Sequence, residues 1–463
     1  MRRWRRYAGL GLCACWLPLA IRLLLLGRGY VEPSLALING PAIGRDGDSA
    51  TGARVDRRLA QSTPAFVGAY MAERQPANVS YCRWQYELPE SLVYLDYQLI
   101  GSPEAGPTGG PNGVLPFAIR GSQNAADLPP VTLCSHATAD QVYSIVELAK
   151  RWEGPLSLSV FVPGHDLGLA VRLLDLACHC EPAMSKVSVH FIFPRNEPPS
   201  LEAPPSAADL ASPDRSCGAA DLQRKTANST DRHRLGLLYP INVARNVARS
   251  LAPTQRVLVS DIELLPSEHL ASQFAAMLKG RTPKRAIAFV LPVFEIEARL
   301  APPANKKQLL VALRTGNAVY FHRFLCPHCQ RFPGIETRWI LRPDPGKVRP
   351  LIITRREYPN NRWEPIFIGT KHDPFYAEDM TWEGRQDKMT QMFEMCLMNY
   401  RLIILDGAFL VHTPGIKRKP FVDGQQPRVD ERQRAHERRN ARIYQRITRR
   451  LLKRYPVNNR CKS

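Results

Sequence analysis

Residues 257–266 read Val257-Leu258-Val259-Ser260-Asp261-Ile262-Glu263-Leu264-Leu265-Pro266, an apolar strand that ends in two carboxylates separated by one residue. In an open α/β sheet, ligands bind beyond the carboxyl ends of the strands, where Asp261 and Glu263 would lie. Carboxylate oxygens are ligands for hard divalent cations, and such a cation neutralises a diphosphate leaving group. Metal-assisted chemistry on a diphosphate is one interpretation of the segment, but on this segment alone a site without metal is favoured, because strands that end in acidic residues are common in proteins that bind no metal.

Strand-like and helical patterns alternate before this segment. The predicted strands are Val131–Cys134, Leu156–Val162, Val187–Phe193 and Arg256–Val259, and the predicted helices are Asp140–Trp152, Leu167–Cys178 and Ile241–Leu251. This order of elements predicts an α/β fold with a mostly parallel, mixed sheet and helices on both faces. A stretch rich in Pro, Ala and Ser between Arg195 and Arg234 predicts a long surface loop that interrupts this order.

The N-terminal residues predict a membrane anchor. Four arginines within residues 1–7 precede a mostly apolar run at residues 8–26, and a run of ~20 apolar residues spans a bilayer. Because positive charge stays on the cytoplasmic side, we expect a cytoplasmic tail at 1–7, a single transmembrane signal anchor at 8–26 and a luminal stem at 27–100. A cleaved signal peptide is the alternative, and both alternatives send the rest of the chain into the secretory pathway.

Two further features are compatible with a luminal location. N-glycosylation sequons occur at Asn78 and Asn228. Two of the 11 cysteines lie in the apolar run and nine follow it. An oxidising lumen would pair some of these nine in disulfides and leave at least one thiol unpaired, although the sequence does not determine which cysteines pair.

The formal net charge of +21 is concentrated at the C-terminus. Residues 417–463 contain 16 Lys and Arg against 4 Asp and Glu, so 12 of the 21 excess charges lie in this basic tail. Val429–Arg454 is predicted to be helical, with Ile443, Ile447 and Leu451 on one face. We interpret it as a solvated basic helix docked on the domain, and attraction to acidic glycans or membrane lipids is the functional alternative. A luminal location leaves no nucleic acid as a partner.

Segments on both sides of the acidic pair occur in a collinear order that is far more specific than any single motif. In chain order they are Val131–Thr138, Leu148–Ser157, Tyr239–Ala248, Phe289–Glu297, Trp363-Glu364-Pro365 and Ala408–Pro414. Together they resemble glycosyltransferase family 49. The resemblance implies a catalytic domain at 101–416 with a GT-A type fold, an inverting mechanism, a manganese ion and a UDP-sugar donor, for which UDP-glucuronic acid is the leading candidate. It also implies a Golgi type II membrane enzyme that acts on a glycan or glycoprotein acceptor.

The resemblance implies metal ligands at three positions. Asp261 and Glu263 match the family's Asp-x-Asp motif, and His412 matches the histidine that completes the metal site. Two carboxylates and an imidazole are a suitable ligand set for Mn²⁺. Without the family, His412 would more simply be a satisfied histidine at a strand end.

The resemblance also implies contacts to the donor. Asn242 and Arg245 fall in a segment that lies near the donor in this family, and His136 and Thr138 lie where nucleotide contacts are expected. An alternative role for Asn242 is that of a helix N-cap.

An inverting transfer needs a carboxylate that takes the proton of the acceptor hydroxyl. The family carries an Asp-Glu pair for which the matching positions here are Glu378 and Asp379, in the opposite order. Glu295 and Glu297 are further candidates for this base. Acidic pairs before helices are also common as solvated groups.

Two departures from the family pattern bear on activity. Glu263 replaces an aspartate and is one methylene longer, and the family's Gly-rich stretch reads Glu383-Gly384-Arg385-Gln386-Asp387-Lys388. A fold does not guarantee its usual function. The alternative to an enzyme is therefore a catalytically impaired, glycosyltransferase-like luminal protein that binds glycans.

A rival of another class rests on Cys326-Pro327-His328-Cys329, which has the Cys-x-x-Cys spacing of thiol-disulfide oxidoreductases. The active cysteine of such enzymes needs a helix N-terminus, and Pro333-Gly334 would break a helix within two turns. We therefore expect a structural disulfide or a loop. A zinc site that uses His322 or His328 lacks a complete set of ligands.

Overall fold

The computed structural model describes residues 80–84, 95–96, 111–199, 230–281, 283, 286–418 and 431–461. The predicted cytoplasmic tail, the predicted anchor, almost all of the predicted stem and the two sequons at Asn78 and Asn228 lie outside these residues. Within the ranges given, no helix combines the length and the apolar character that a membrane crossing requires.

Two β-sheets form the framework of the described part. The strands are β1 (Cys82–Trp84), β2 (Leu95–Asp96), β3 (Asn112–Gly121), β4 (Val131–Thr138), β5 (Leu156–Phe161), β6 (Val187–Pro194), β7 (Arg256–Val259), β8 (Leu264–Pro266), β9 (Ile287–Leu291), β10 (Val293–Ile296), β11 (Ala318–Tyr320), β12 (Arg349–Thr354), β13 (Ile366–Thr370), β14 (Arg401–Asp406) and β15 (Leu410–His412). The 11-stranded sheet has the order β1-β3-β6-β5-β4-β7-β13-β9-β14-β12, with β2 paired to β3. The 4-stranded sheet has the order β11-β10-β15-β8.

Strands β6, β5, β4 and β7 form a parallel group at the centre of the larger sheet. On one side of this group β3 pairs antiparallel with β6, and on the other side β13 pairs antiparallel with both β7 and β9. The predicted α/β fold with a mixed central sheet is confirmed. The prediction that the sheet is mostly parallel is wrong, because antiparallel strands from outside the βα repeats extend the parallel group on both sides.

Helices cover both faces of the parallel group. The helices are α1 (Ile145–Arg151), α2 (Asp166–Cys180), α3 (Asp231–Arg234), α4 (Ile241–Ser250), α5 (Leu270–Leu278), α6 (Lys306–Arg314), α7 (Met389–Leu397) and α8 (Glu431–Arg454). Successive residues of β4 point to opposite faces. Leu133 and Ala137 pack in the core that contains α1 and α2, and Cys134 packs against Ala248 of α4. Every residue of β4 is buried as a result.

The predicted elements before the acidic pair are all present, with shifted ends. The predicted helix over Asp140–Trp152 begins as a 3-10 helix at Ala139–Ser144 and continues as α1. Strand β4 extends four residues past its predicted end at Cys134. This extension carries His136 and Thr138 into the edge of the sheet where β7 ends.

The basic tail contains the longest helix of the described part, α8. Its apolar side chains pack with Met380 and with Phe393 and Leu397 of α7. These apolar side chains are Ile443, Ile447 and Leu451. A disulfide between Cys396 and Cys461 links α7 to the chain that follows α8. The prediction of a helix docked on the domain through this face is confirmed.

Disulfides join three cysteine pairs in the described part of the chain. They are Cys82–Cys178, Cys326–Cys329 and Cys396–Cys461. Cys134 is a free, buried thiol, and burial raises its pKa to about 12. The prediction of several disulfides with at least one unpaired thiol is confirmed. The Cys-x-x-Cys segment is a disulfide within turns, and no helix begins at Cys326.

Helix α8 offers a direct test of its docking. Ile447 is 4% exposed and Leu452 is 46% exposed on the same helix. We expect Ile447→Ala to lower the free energy of unfolding by about 2 to 5 kcal/mol, because truncation leaves a cavity. We expect Leu452→Ala to lower it by about 0.5 kcal/mol or less. Denaturant unfolding of the two variants measures the difference, and equal losses would contradict the docking.

Candidate active site

The two acidic residues lie in the short connection between the larger and the smaller sheet. Asp261 follows β7 and Glu263 precedes β8, and the Asp261 carbonyl accepts a hydrogen bond from Leu264 N at 3.0 Å. Strand β4 runs beside β7, and β15 pairs with β8 so that His412 lies opposite Leu264. This register brings His136 to Asp261 and His412 to Glu263.

His136 orients Asp261. Its Nε2 lies 3.1 Å from Asp261 Oδ1, and its Nδ1 lies 2.9 Å from the hydroxyl of Tyr239. Burial lowers the pKa of His136, so its ring is held neutral. A neutral ring can donate to Asp261 through Nε2 and accept from Tyr239 at Nδ1, which satisfies both contacts.

Two cations flank Asp261. The Arg245 guanidinium lies 3.3 Å from Asp261 Oδ1, and Lys388 Nζ lies 3.7 Å from Asp261 Oδ2. Burial alone would raise the pKa of Asp261, but Lys388, His136 and Arg245 together hold it well below its usual range. Asp261 is therefore ionised, and a second acid, Asp387, forms an ion pair with Arg245.

Glu263 and His412 form a separate pair. His412 Nε2 lies 3.1 Å from Glu263 Oε2, while His412 Nδ1 lies 3.1 Å from the carbonyl oxygen of Gly415. A neutral imidazole has one N–H, so only one of these two contacts can be a hydrogen bond. If Nδ1 donates to Gly415, the lone pair of Nε2 faces the carboxylate, and a proton or a metal cation must lie between them. A histidine that binds metal commonly donates its other N–H to a backbone carbonyl.

The residues present fit a divalent cation at Glu263 and His412. A carboxylate and an imidazole are suitable ligands for Mn²⁺, and Glu263 is 35% exposed. Asp261 stands apart from this pair in the structure. Among the described residues, one group of three Cys, His, Asp or Glu side chains has ligand atoms all within 4.8 Å of one another, and it is Cys326, His328 and Cys329, whose two sulfurs are already joined in a disulfide. The structure therefore brings together two of the three predicted ligands.

A residue that the sequence did not single out, His322, links the two halves of the site. Its pKa is lowered to about 4 by burial, and then by the charges of Lys417, Lys388 and His412, while Asp261 acts in the opposite direction. Charges from both halves of the site therefore act on His322, and the neighbouring Phe321 ring lies 5.3 Å from the His412 ring. His322 follows β11, has a positive φ of 60° and stacks on Phe321. No motif marks it, because its position depends on the smaller sheet.

Glu295, a further candidate for the base, lies on β10, opposite His412 of β15. Its carboxylate accepts hydrogen bonds from His322 N at 3.1 Å and Lys417 N at 3.2 Å. Burial raises its pKa. Glu297 is paired with Arg418 farther along the chain. Glu295 therefore positions the backbone of two neighbouring segments.

Two of the predicted donor residues, His136 and Arg245, contact Asp261 and not the Glu263–His412 pair. Thr138 is buried, and its hydroxyl finds no hydrogen-bond partner within the described ranges. Asn242 is also buried, and its amide donates to the carbonyl oxygens of Ala377 and Asp387, each at 2.8 Å. Its oxygen accepts from Arg245 at 3.0 Å. Since Pro240 occupies the N-cap of α4, the alternative role of Asn242 as an N-cap is not found.

The segment 381–388, the divergent Gly-rich stretch together with two preceding residues, closes the site. Glu383 accepts hydrogen bonds from Tyr239 N at 3.0 Å and from Arg232 at 3.0 Å. Asp387 and Lys388 reach Arg245 and Asp261 as described above. In the sequence this stretch was identified only as a departure from the family pattern. The charges of Glu383, Asp387 and Lys388 were the signal that could have assigned these residues to the site.

The predicted bases, Glu378 and Asp379, lie next to this segment. Glu378 is buried and accepts from the Asn246 amide of α4 at 2.8 Å. Asp379 forms an ion pair with Arg446 of α8 at 3.0 Å. These contacts place the first side chain against α4 and the second against α8.

The charges of the site also act on a third carboxylate. The charges of Lys388, Asp387 and Arg245 all act on Glu364, and burial raises its pKa. Glu364 belongs to the Trp363-Glu364-Pro365 segment, which the sequence had singled out without assigning a role.

The lowered pKa of His322 is measurable. In NMR spectra of histidine-labelled protein, we expect the His322 ring to stay neutral above pH 5 and to take up its proton near pH 4, because it is buried among cations. The His322→Gln variant assigns its signal, and the titration is recorded without added metal. A proton uptake near the ordinary value of about 6.5 would contradict this arrangement.

The family model described as "Glycosyl-transferase for dystroglycan", glycosyltransferase family 49, matches residues 130–456. The chain is 30% identical to beta-1,4-glucuronyltransferase 1 of Bos taurus over 287 residues, which are 61% of this chain and 67% of that protein. It is 28% identical to the Mus musculus protein of the same name over 337 residues, 72% of this chain and 77% of that protein. It is 26% identical to human xylosyl- and glucuronyltransferase LARGE2 over 293 residues, 61% of this chain and 33% of that protein.

The chain thus spans about two thirds or more of the glucuronyltransferases and a third of LARGE2. Among solved structures, Staphylococcus aureus TarS 1-349 aligns with a TM-score of 0.30 and 10% identity over 60% of this chain and 59% of that chain, a likeness too weak to support an argument. The family match covers the parallel strands, the acidic pair, the segment 381–388 and α8. The resemblance predicted from the sequence is confirmed: this chain belongs to glycosyltransferase family 49 and is a glycosyltransferase.

Proposed function

We propose that the protein transfers glucuronic acid from UDP-glucuronic acid to a glycan or glycoprotein acceptor, with inversion at the anomeric carbon and with Mn²⁺ as the cofactor, on a GT-A type fold. The observation that carries this proposal is the Glu263–His412 pair in the connection from β7 to β8, next to Asp261 with its two flanking cations, Arg245 and Lys388. A Golgi location, a type II anchor at residues 8–26 and the domain limits at 101 and 416 belong to the same proposal.

The charges of the site suit a nucleotide sugar. Arg245 and Lys388 flank the ionised Asp261 on one side, and the Glu263–His412 pair lies on the other. A diphosphate needs positive charge along its length, which guanidinium and ammonium groups supply. The carboxylate of a glucuronic acid would be attracted by the same cations. Xylose carries no such group, which makes it the weaker candidate for the sugar.

Glu263 and His412 would hold the metal, with Asp261 as the third predicted ligand. When bound, Mn²⁺ supplies positive charge that stabilises the leaving diphosphate. His136 keeps Asp261 oriented, and the Gly415 carbonyl fixes the ring of His412. The longer side chain of Glu263 reaches His412 across the turn between the sheets, which makes its replacement of an aspartate compatible with the site.

The transfer itself needs one base. The acceptor hydroxyl oxygen forms a bond to the anomeric carbon while the bond from that carbon to the diphosphate breaks, and UDP leaves with the electron pair. A carboxylate takes the hydroxyl proton. Glu378 and Asp379 are the candidates from the family, and Glu364, whose pKa burial raises against the charge of Lys388, is the candidate that we add.

The first test is donor-selective release of UDP by the purified protein with Mn²⁺, across a panel of UDP-sugars and glycan acceptors. We expect release from UDP-glucuronic acid, and a loss of at least about a hundredfold in Asp261→Ala, because an essential group of the donor site is removed. The matched control is Glu336→Gln, an exposed carboxylate paired with Arg331 away from the site, which should retain full activity.

Metal removal provides the second arm of this test. EDTA should abolish release, added Mn²⁺ should restore it, and Glu263→Gln should weaken the binding of Mn²⁺ detected by electron paramagnetic resonance. A folded protein that releases no UDP from any donor, with a varied acceptor panel, would support the glycan-binding alternative. Full activity in EDTA would refute the metal.

The base is identified by comparing Glu364→Gln, Glu378→Gln and Asp379→Asn. Loss of a general base costs about 10² to 10⁴ in rate. We expect this loss in kcat for Glu364→Gln with unchanged Mn²⁺ binding. We expect less than about a tenfold loss for Asp379→Asn, whose carboxylate is paired with Arg446. The reverse order of effects would return the role to Asp379 or Glu378.

A further inference from the structure

The solvent face of α8 is strongly charged. The helix contains nine arginines and one lysine against two glutamates. Its apolar side chains Ile443, Ile447 and Leu451 pack against α7 and are buried there. The charge therefore occupies the rest of the helix circumference, and its arrangement can be worked out from the helix geometry.

Five of these cations form one line, here named the cationic stripe. They are Arg434, Arg438, Arg442, Arg449 and Lys453. With 3.6 residues per turn, these positions fall within an arc about 100° wide, and at 1.5 Å per residue they span about 29 Å. The arc is centred opposite the buried positions Asn440, Ile443, Ile447 and Leu451. The cationic stripe therefore points straight away from the domain.

The cationic stripe carries charge that no carboxylate of the described residues pairs with. All five side chains belong to exposed residues. None of the five forms an ion pair with a carboxylate of the described residues, whereas Arg446 and Arg454, on the flank of the helix, pair with Asp379 and Glu394. Stabilising the fold thus uses the flank of α8 and leaves the cationic stripe for a ligand.

The helix that carries the cationic stripe is fixed to the domain. Asn440 fastens the middle of α8 by donating to the carbonyl oxygens of Thr381 and Arg385, each at 2.9 Å. The disulfide between Cys396 and Cys461 fastens the chain that follows the helix. Because the helix is fixed, binding an extended anion costs side-chain entropy but requires no further ordering of the backbone.

We propose that the cationic stripe binds a linear, acidic polysaccharide, one whose uronate or sulfate groups repeat along an extended chain. Guanidinium groups bind carboxylate and sulfate oxygens in a bidentate manner, and four of the five residues are arginines. Along the axis the cations are four residues, about 6 Å, apart, except for the seven-residue step of about 10 Å from Arg442 to Arg449, and this one-dimensional array matches an extended anion. The choice of a glycan rests on the membership of a glycosyltransferase family.

A membrane fits this surface less well. Helices that lie on bilayers insert an apolar face between the lipids. The apolar face of α8 is buried in the protein, and Leu452 is the only large apolar side chain of this helix that is exposed. Anionic vesicles therefore serve as the competing probe.

The cationic stripe is distinct from the donor site, and its binding requires no turnover. The test replaces all five residues by Gln in the full protein and measures binding to heparin and to unsulfated chondroitin, with neutral dextran as the blank. A control variant replaces five exposed cations of other elements by Gln, so that the net charge changes equally. These are Lys279, Arg281, Lys307, Arg314 and Arg342.

We expect the wild type to bind both acidic polysaccharides with an affinity that falls steeply with salt. The cationic stripe variant should bind roughly tenfold or more weakly with a shallower salt dependence, while the control variant binds as the wild type does. UDP release with a small neutral acceptor should be the same in all three proteins, which separates this proposal from the proposed function.

Three results would overturn the proposal. Equal weakening in the two variants would show that net charge alone attracts the polysaccharide. Absence of binding by the wild type would remove the ligand. Tighter binding to phosphatidylserine vesicles or to duplex DNA at the same salt concentration, lost in the cationic stripe variant, would assign the surface to a membrane or to a nucleic acid.

Discussion

The buried charge of Arg245 is the constraint on which the site depends. A guanidinium removed from water is tolerated only where anions and hydrogen-bond acceptors surround it. Burial would lower the pKa of Arg245, but Asp387 and Asp261 outweigh this effect and raise it. The Asn242 side-chain oxygen accepts a hydrogen bond from Arg245, and the guanidinium lies over the ring of Tyr376 at 5.3 Å. These contacts join α4, the end of β7 and the segment 381–388 at the Arg245 side chain.

The same constraint explains why the C-terminal helix belongs to the catalytic region. The segment 381–388 can reach Arg245 only if its own backbone is held, and α8 holds it through Asn440. Gly384 is required there, since a Cβ at this position would lie 2.1 Å from the Asn440 side chain. The family match, which extends to residue 456, agrees with this arrangement. The basic tail, which the sequence predicted to dock on the domain, thus also holds the segment 381–388 in place through Asn440.

Local patterns in the sequence predicted the parallel strands, the helices on both faces and the docked face of α8, because each of these depends on short-range periodicity. The antiparallel strands β3 and β13 and the smaller sheet were not predicted, since their pairing joins distant segments. The site follows the same division. Asp261, Glu263, His412 and Arg245 were found from motifs, but His322, Asp387 and Lys388 enter the site through tertiary contacts. The separation of Asp261 from the Glu263–His412 pair likewise depends on side-chain contacts that no motif specifies.

We propose that Glu263 and His412 bind a metal beside a donor site flanked by Arg245 and Lys388. The most direct measurement is a crystal structure of the protein with Mn²⁺ and UDP, with anomalous diffraction recorded at the manganese edge. We predict one strong anomalous peak in contact with Glu263, His412 and the UDP diphosphate, with the uridine toward Thr138. Ordered UDP with no manganese at Glu263 and His412, or a manganese peak at another place, would contradict this proposal.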